Sequence, residues 1–188
     1  MKGALIVVGV LVLLGLLLFM PLMSARNELV TEREGVNAAW SQVENVMQRR
    51  GDLIPNLVET VKGVAKHEQS VIDSVTSARA ALGGARSPQE KIAANDQLGS
   101  AISRLLVISE NYPQLKANEN FRALQDELVG SDNRIANERR KYNDVLQKYN
   151  TNIQVFPKNI AASLFGFQRN DAYFKAEAGA KEVPKVKF

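Results

Sequence analysis

The sequence predicts an all-α protein, in which an N-terminal single transmembrane helix is followed by an antiparallel helical bundle with one very long, kinked helix. Three observations carry this. Residues 4–23 hold no charge, and at about 1.5 Å rise per residue such a run reaches roughly 30 Å, the thickness of a bilayer's hydrocarbon core. Beyond it, apolar residues recur in steps of three and four, the spacing that lines up one face of a helix. Finally, no stretch alternates apolar and polar residues as a half-buried strand does.

The first element reads ALIVVGVLVLLGLLLFMPLM, with Ala4, Leu5, Ile6, Val7, Val8, Leu11, Leu14, Leu17, Phe19 and Met23 as membrane-spanning positions. A cleavable signal peptide has a shorter apolar region ending in small residues, whereas the best junction here, Met23-Ser24-Ala25, places a bulky Met before the cut. A buried core helix normally keeps a polar face, and this run has none. Gly3, Gly9 and Gly15 recur every six residues, which turns them to different faces and does not make a small-xxx-small packing motif. Pro21 predicts a kink near the exit. Lys2 on one side and Arg26 and Arg33 on the other nearly balance, so the Lys/Arg bias selects neither orientation.

The chain beyond the span is long enough for one domain with its own core. It has no cysteine and a single histidine, His67, which excludes disulfides, thiol chemistry and a multi-histidine metal site within one chain. Charge is uneven: residues 131–188 hold 11 Lys/Arg against 6 Asp/Glu, a net of +5, while residues 1–130 hold 13 against 14, a net of −1. A basic C-terminal part beside a membrane fits anionic lipid or an acidic partner, and equally a solvated surface.

From Val36 a heptad seam runs through Trp40, Val43, Met47, Arg50, Ile54, Leu57, Val61, Val64, Glu68, Val71, Val75, Ala78 and Leu82. Only Arg50 and Glu68 are not apolar, so the stripe is expected to be buried, with Trp40 as a core anchor. Pro55 lacks an amide hydrogen and disfavours helix at Ile54. A kink or a restart capped by Asp52 is expected there, with the stripe in phase on both sides. Arg50-Gly51-Asp52 also spells an adhesion tripeptide, which at a helix junction is a chance match. Gly83-Gly84 ends the long helix. Ser87-Pro88-Gln89-Glu90 opens the next with a capping box; Leu98, Ile102 and Leu105 continue the stripe, and Tyr112-Pro113 closes it. Asn118 caps a third helix whose seam is Phe121, Leu124, Leu128, Ser131, Ile135, Glu138, Tyr142, Val145 and Tyr149. Phe156-Pro157 breaks that helix. Two readings stay open for Lys158–Phe167: a short helix that caps the bundle, or an exposed apolar element that docks on a neighbouring subunit or dips into lipid. The expected division is 1–25 as anchor, 26–170 as bundle and 171–188 as a flexible basic tail.

Several segments together carry a family resemblance: Ala39-Trp40-Ser41-Gln42-Val43, Arg49-Arg50-Gly51-Asp52-Leu53-Ile54-Pro55-Asn56-Leu57-Val58, His67-Glu68, Glu110-Asn111-Tyr112-Pro113-Gln114-Leu115-Lys116-Ala117, Arg139-Arg140-Lys141-Tyr142-Asn143, Tyr149-Asn150 and Phe156-Pro157. Over almost its whole length the chain resembles the LemA family. It departs from the family's pattern at Arg26-Asn27, where Tyr often precedes the Asn, and at Val64, where an aromatic is usual. The resemblance implies an N-terminal membrane helix carrying an antiparallel bundle with one very long helix. It brings no catalytic mechanism, and relatives in magnetosome-forming bacteria are linked to building membrane compartments.

No reaction chemistry emerges from the residues themselves. His67-Glu68 lacks the second histidine of a zinc-protease helix, since position 71 is Val71. Gly83-Gly84 lacks the Lys-Ser/Thr of a phosphate loop. Arg139-Arg140-Lys141 lies beside Tyr142, but that aromatic falls on the buried stripe and is lost to base stacking. The expectation is therefore a bacterial plasma (inner) membrane protein, single-pass and not an enzyme. It uses no cofactor or metal, and binds neither nucleic acid nor a small-molecule substrate. The lipid bilayer and further copies of itself are its expected partners, and its role is to self-associate and scaffold membrane. The alternative is a monomeric adaptor that recruits an acidic partner. The candidate partner or lipid surface comprises Arg139, Arg140, Lys141, Lys148, Ile160, Leu164, Phe165 and Phe167.

Overall fold

A computed structural model describes residues 2–65 and 67–175. Among them the chain is helical and without strands: α1 Lys2–Lys62, α2 Gln69–Gly84, α3 Pro88–Ser109, α4 Pro113–Ala117, α5 Glu119–Asn152 and α6 Lys158–Phe165.

Helix α1 runs unbroken through Gly51–Pro55, so the restart expected at Asp52 does not form. Proline inside a helix removes the N–H that the carbonyl four residues earlier would receive. Here that carbonyl belongs to Gly51, and Arg79 of α2 donates its Nε to it at 2.9 Å. The Pro55 ring sits on the exposed face, while Arg50, Ile54, Leu57 and Val61 are buried on either side of it. The stripe stays in phase because the helix never stops.

The chain turns instead at residues 63–68, inside what the heptad seam presents as one helix ending at Gly83-Gly84. The Val61 carbonyl accepts the amides of both Val64 and Ala65, a tightening typical of a helix's last turn. Glu68 precedes α2 without capping it; its carboxylate accepts the Tyr112 hydroxyl at 2.9 Å. The buried stripe of α2 keeps the expected Val75, Ala78 and Leu82 and begins at Ile72 in place of Val71, which is half-buried.

The predicted caps are present. Ser87 Oγ accepts the Glu90 amide at 3.2 Å, and the Glu90 carboxylate accepts the amides of Arg86 and Ser87. Those two backbone donors hold the Glu90 carboxyl below its ordinary range. Asn118 Oδ1 accepts the Phe121 amide at the start of α5. Along α5 the buried set follows the predicted seam at Phe121, Leu128, Ser131, Ile135, Tyr142 and Tyr149, with Leu146 buried where the heptad points to Val145.

Packing groups the described residues into two units, to both of which α1 and α5 contribute: residues up to Gln42 with Arg140–Asp171, and Val43–Arg139 with the residues from Ala172 on. In the second unit one aliphatic cluster joins the end of α1 (Ile54, Leu57, Val61) to α2, α3, Leu115 of α4 and Phe121 and Leu128 of α5. Arg50 is buried there as well. It pairs with Asp132 at 3.1 Å and donates to Asn95 at 3.4 Å. Gly99 leaves room for this guanidinium, because a Cβ there would lie 3.4 Å from Arg50 Nη2. Burial pulls the Arg50 pKa down, and Asp132 partly restores it. Engaged in this way within a helix, Arg50 cannot present an adhesion tripeptide. Ala172 and Phe174 are also buried, so packing continues past residue 170, into the stretch expected as tail; the rest of that tail, 176–188, lies outside the described residues.

Candidate functional site

The first unit carries the apolar run. Among the described residues this is the one helix segment long and apolar enough to cross a membrane. The described Leu, Ile, Val, Phe and Met side chains from Leu5 to Met20 are 50–71% exposed. At Leu22 and Met23 the side chains become half-buried, and Ala25 and Leu29 are buried. Packing thus begins within the last turn of the run.

The end of α5, the turn after it and α6 are fastened along this stretch of α1. Lys158 donates to Glu28 at 2.7 Å and lies 3.7 Å from Glu32, and the Asn152 amide also donates to Glu32. The hydrogen bond from Lys158 lowers the Glu28 pKa, and the same bond raises that of Lys158. The Arg26 guanidinium lies over the Phe165 ring at 5.4 Å and that of Arg33 over Phe167 at 5.5 Å, distances at which a cation is attracted to the ring face. Gly166 closes α6 with φ 72°, a left-handed conformation that costs a glycine little. From there the chain doubles back. The Tyr149 hydroxyl donates to the Gln168 carbonyl at 2.9 Å, and Asn150 exchanges two hydrogen bonds with the backbone of Asn170. Burial raises the Tyr149 pKa and keeps its hydroxyl a donor. Higher on α1, Trp40 meets Tyr142 edge to face at 5.3 Å; it is half-buried, at the margin of the core.

This arrangement divides the predicted surface residues. Ile160, Leu164, Phe165 and Phe167 come together on and just after α6. That helix buries its small face, Ala161 and Ala162, and leaves Ile160 52% and Leu164 65% exposed. Phe156, read in the sequence only as a helix breaker, lies in the turn before α6 and is 78% exposed. The four basic residues do not form one common face. Arg139 is tied within the second unit, paired with Asp96 at 2.8 Å and stacked over Phe174 at 4.7 Å. Lys148 lines a shallow groove of the first unit with Ser24, Glu28, Asn152 and Lys158. Successive residues on a helix are 100° apart, so Arg140 and Lys141 point in different directions. A cleft of the second unit, lined by Glu44, Gly51, Asp52, Arg79 and Lys91, has its cations committed: Lys91 bonds Glu44 and Arg79 bonds the Gly51 carbonyl.

Among known proteins, a family model described as the LemA family matches residues 39–188, a range that begins beyond the apolar run. The chain is 26% identical over 179 residues to magnetosome protein MamQ 2 of Paramagnetospirillum magneticum, an alignment covering 81% of this chain and 66% of that protein. The same figures hold for magnetosome protein MamQ of Magnetospirillum gryphiswaldense. Protein LemA of Metamycoplasma hominis is 24% identical over 165 residues, with 86% and 72% covered. The chain therefore spans just under two thirds of the length of the MamQ proteins.

Proposed function

The chain belongs to the LemA family, and from that premise we propose that it is a single-pass protein of the bacterial plasma membrane that self-associates and organises the bilayer holding it, without catalysis. The observation that carries the membrane part is the exposed apolar run of α1. From Leu5 to Met20 its described large side chains lie open around the helix. Leaving such side chains in water forgoes about 1.5–3 kcal/mol apiece relative to burial, so lipid is the medium that suits them. Organisation of membrane is the role most in keeping with relatives named as magnetosome proteins. A structural role also accounts for the two charged positions on the long seam, since Arg50 and Glu68 both serve packing contacts. The expected division into anchor, bundle and tail belongs to this proposal.

The test uses the full chain. Washed at alkaline pH, membranes should retain the protein, and release into the supernatant overturns the anchoring. Light scattering of detergent-solubilised protein should give a mass above that of one chain plus its micelle, and a monomer at every concentration overturns the self-association.

A further inference from the structure

We propose that α6 and the turn before it form a second membrane contact, lying in the headgroup layer of the same bilayer that α1 spans; this rests on the anchoring proposed above. Ile160 and Leu164 are spaced by four on α6, the interval that stacks side chains on one helix face, and both are exposed, as are Phe165 at the end of the helix and Phe156 in the turn before it. Scattered single apolar residues on a surface need no explanation, but four along one short helix and the turn before it do.

The level of this patch along α1 decides its cover. Phe165 sits against Arg26, which is three residues past Met23, or about 5 Å at the helical rise. The headgroup region on each side of the hydrocarbon core is about 5–7 Å deep. Lys158 is bonded to Glu28, at the upper edge of that layer. The segments on either side of α6 contact α1 farther from the span, Asn152 at Glu32 and Phe167 at Arg33. Within this unit α6 is therefore the turn nearest the bilayer, and the chain comes down to it and leaves again through Gly166. Aromatic and long aliphatic side chains favour this depth, where one side is apolar and the other wet. Lys158 is committed to Glu28 and Glu32, so apolar burial drives the contact and anionic lipid is not required.

The absence of cysteine allows one environment-sensitive fluorophore to be placed at Leu164→Cys in the full chain, reconstituted into phosphatidylcholine vesicles that carry a nitroxide either near the headgroup or deep in the acyl chain. A second preparation carries the label at Leu11→Cys in the span. The Leu164 label should lose most of its emission to the shallow nitroxide, less to the deep one, and resist aqueous iodide. The Leu11 label should respond most to the deep nitroxide. Quenching of the Leu164 label by iodide alone overturns the proposal. Protection of that label from both iodide and nitroxide also overturns it, and identifies a second copy of the chain as the cover. If the Leu11 label escapes the nitroxides, the anchoring itself fails, and the α6 contact falls with it.

Discussion

The two units differ in how much apolar surface they leave outside their interiors. In the second, large aliphatic side chains meet inside one cluster, and its exposed large apolar residues, such as Val107 and Val129, stand apart in sequence. In the first, Leu29, Val36, Leu146 and Ile153 are buried together with small and aromatic residues (Ala25, Ala161, Ala162, Tyr142, Tyr149), while the apolar run and Phe156, Ile160 and Leu164 are exposed. Side-chain clamps add to that interior: Lys158 on Glu28, Asn150 on Asn170, Tyr149 on Gln168. A unit that joins a packed interior to so long an exposed apolar surface suits the lipid contact proposed above.

The sharpest way to break this comparison is to truncate one leucine in each unit. Leu98 is fully buried in the aliphatic cluster, and Leu98→Ala should lower stability by about 3 kcal/mol, within the range for buried leucine truncations. Leu164→Ala should change it by less than about 0.5 kcal/mol. Urea unfolding in detergent, followed by circular dichroism, measures both; equal losses would erase the distinction. Next in size is the clamp on the returning chain. Asn150→Ala removes two hydrogen bonds from a buried position, worth together about 2 kcal/mol, and amide exchange at Asn170 should rise more than exchange in α2 or α3. A third test addresses the helix through Pro55. Arg79→Ala leaves the Gly51 carbonyl without its donor and should cost about 1 kcal/mol. In the Pro55→Ala background, where the new amide serves that carbonyl, the same change should cost almost nothing. A double-mutant cycle with no coupling would sink this account.

The smallest effect is on pH. The Glu28 carboxyl titrates below its ordinary 4.5, so the contribution of its bond to Lys158 is present above that value and is lost as pH falls through the lowered one. Lys158 titrates above its ordinary 10.5, so its contribution is present below that value and is lost as pH rises through the raised one. Protease nicking at residues 153–157 should accordingly be slow between these limits and quicken as acidification protonates Glu28, and in Lys158→Met should lose that pH dependence.

Much of this was legible from residue order. The capping box at Ser87, the Asn118 cap, the stripe on α3 and the long apolar helix at the N-terminus all rest on local chemistry, which a sequence displays directly. The turn at residues 63–68 did not show, because Val64 and Val71 happen to preserve a three-four spacing across it, and spacing alone does not prove that a helix continues. Nor did residue order disclose that Pro55 would be tolerated within α1, since the donor that makes it tolerable, Arg79, arrives from another helix. At the candidate site the apolar residues of α6 were visible as a group. That Arg139 was spoken for depended on Asp96 and Phe174, both far from it along the chain.

The continuity of α1 between its apolar run and Leu29 has a mechanical consequence. Between the apolar run and the residues that hold α6 the helix is unbroken, with Pro21 near the end of the run. Spans adjust to a bilayer of mismatched thickness by tilting or kinking, and under the anchoring proposed above an unbroken helix would carry a tilt to whatever is held along Arg26–Glu32. A change in bilayer thickness would then reach α6 through the helix itself.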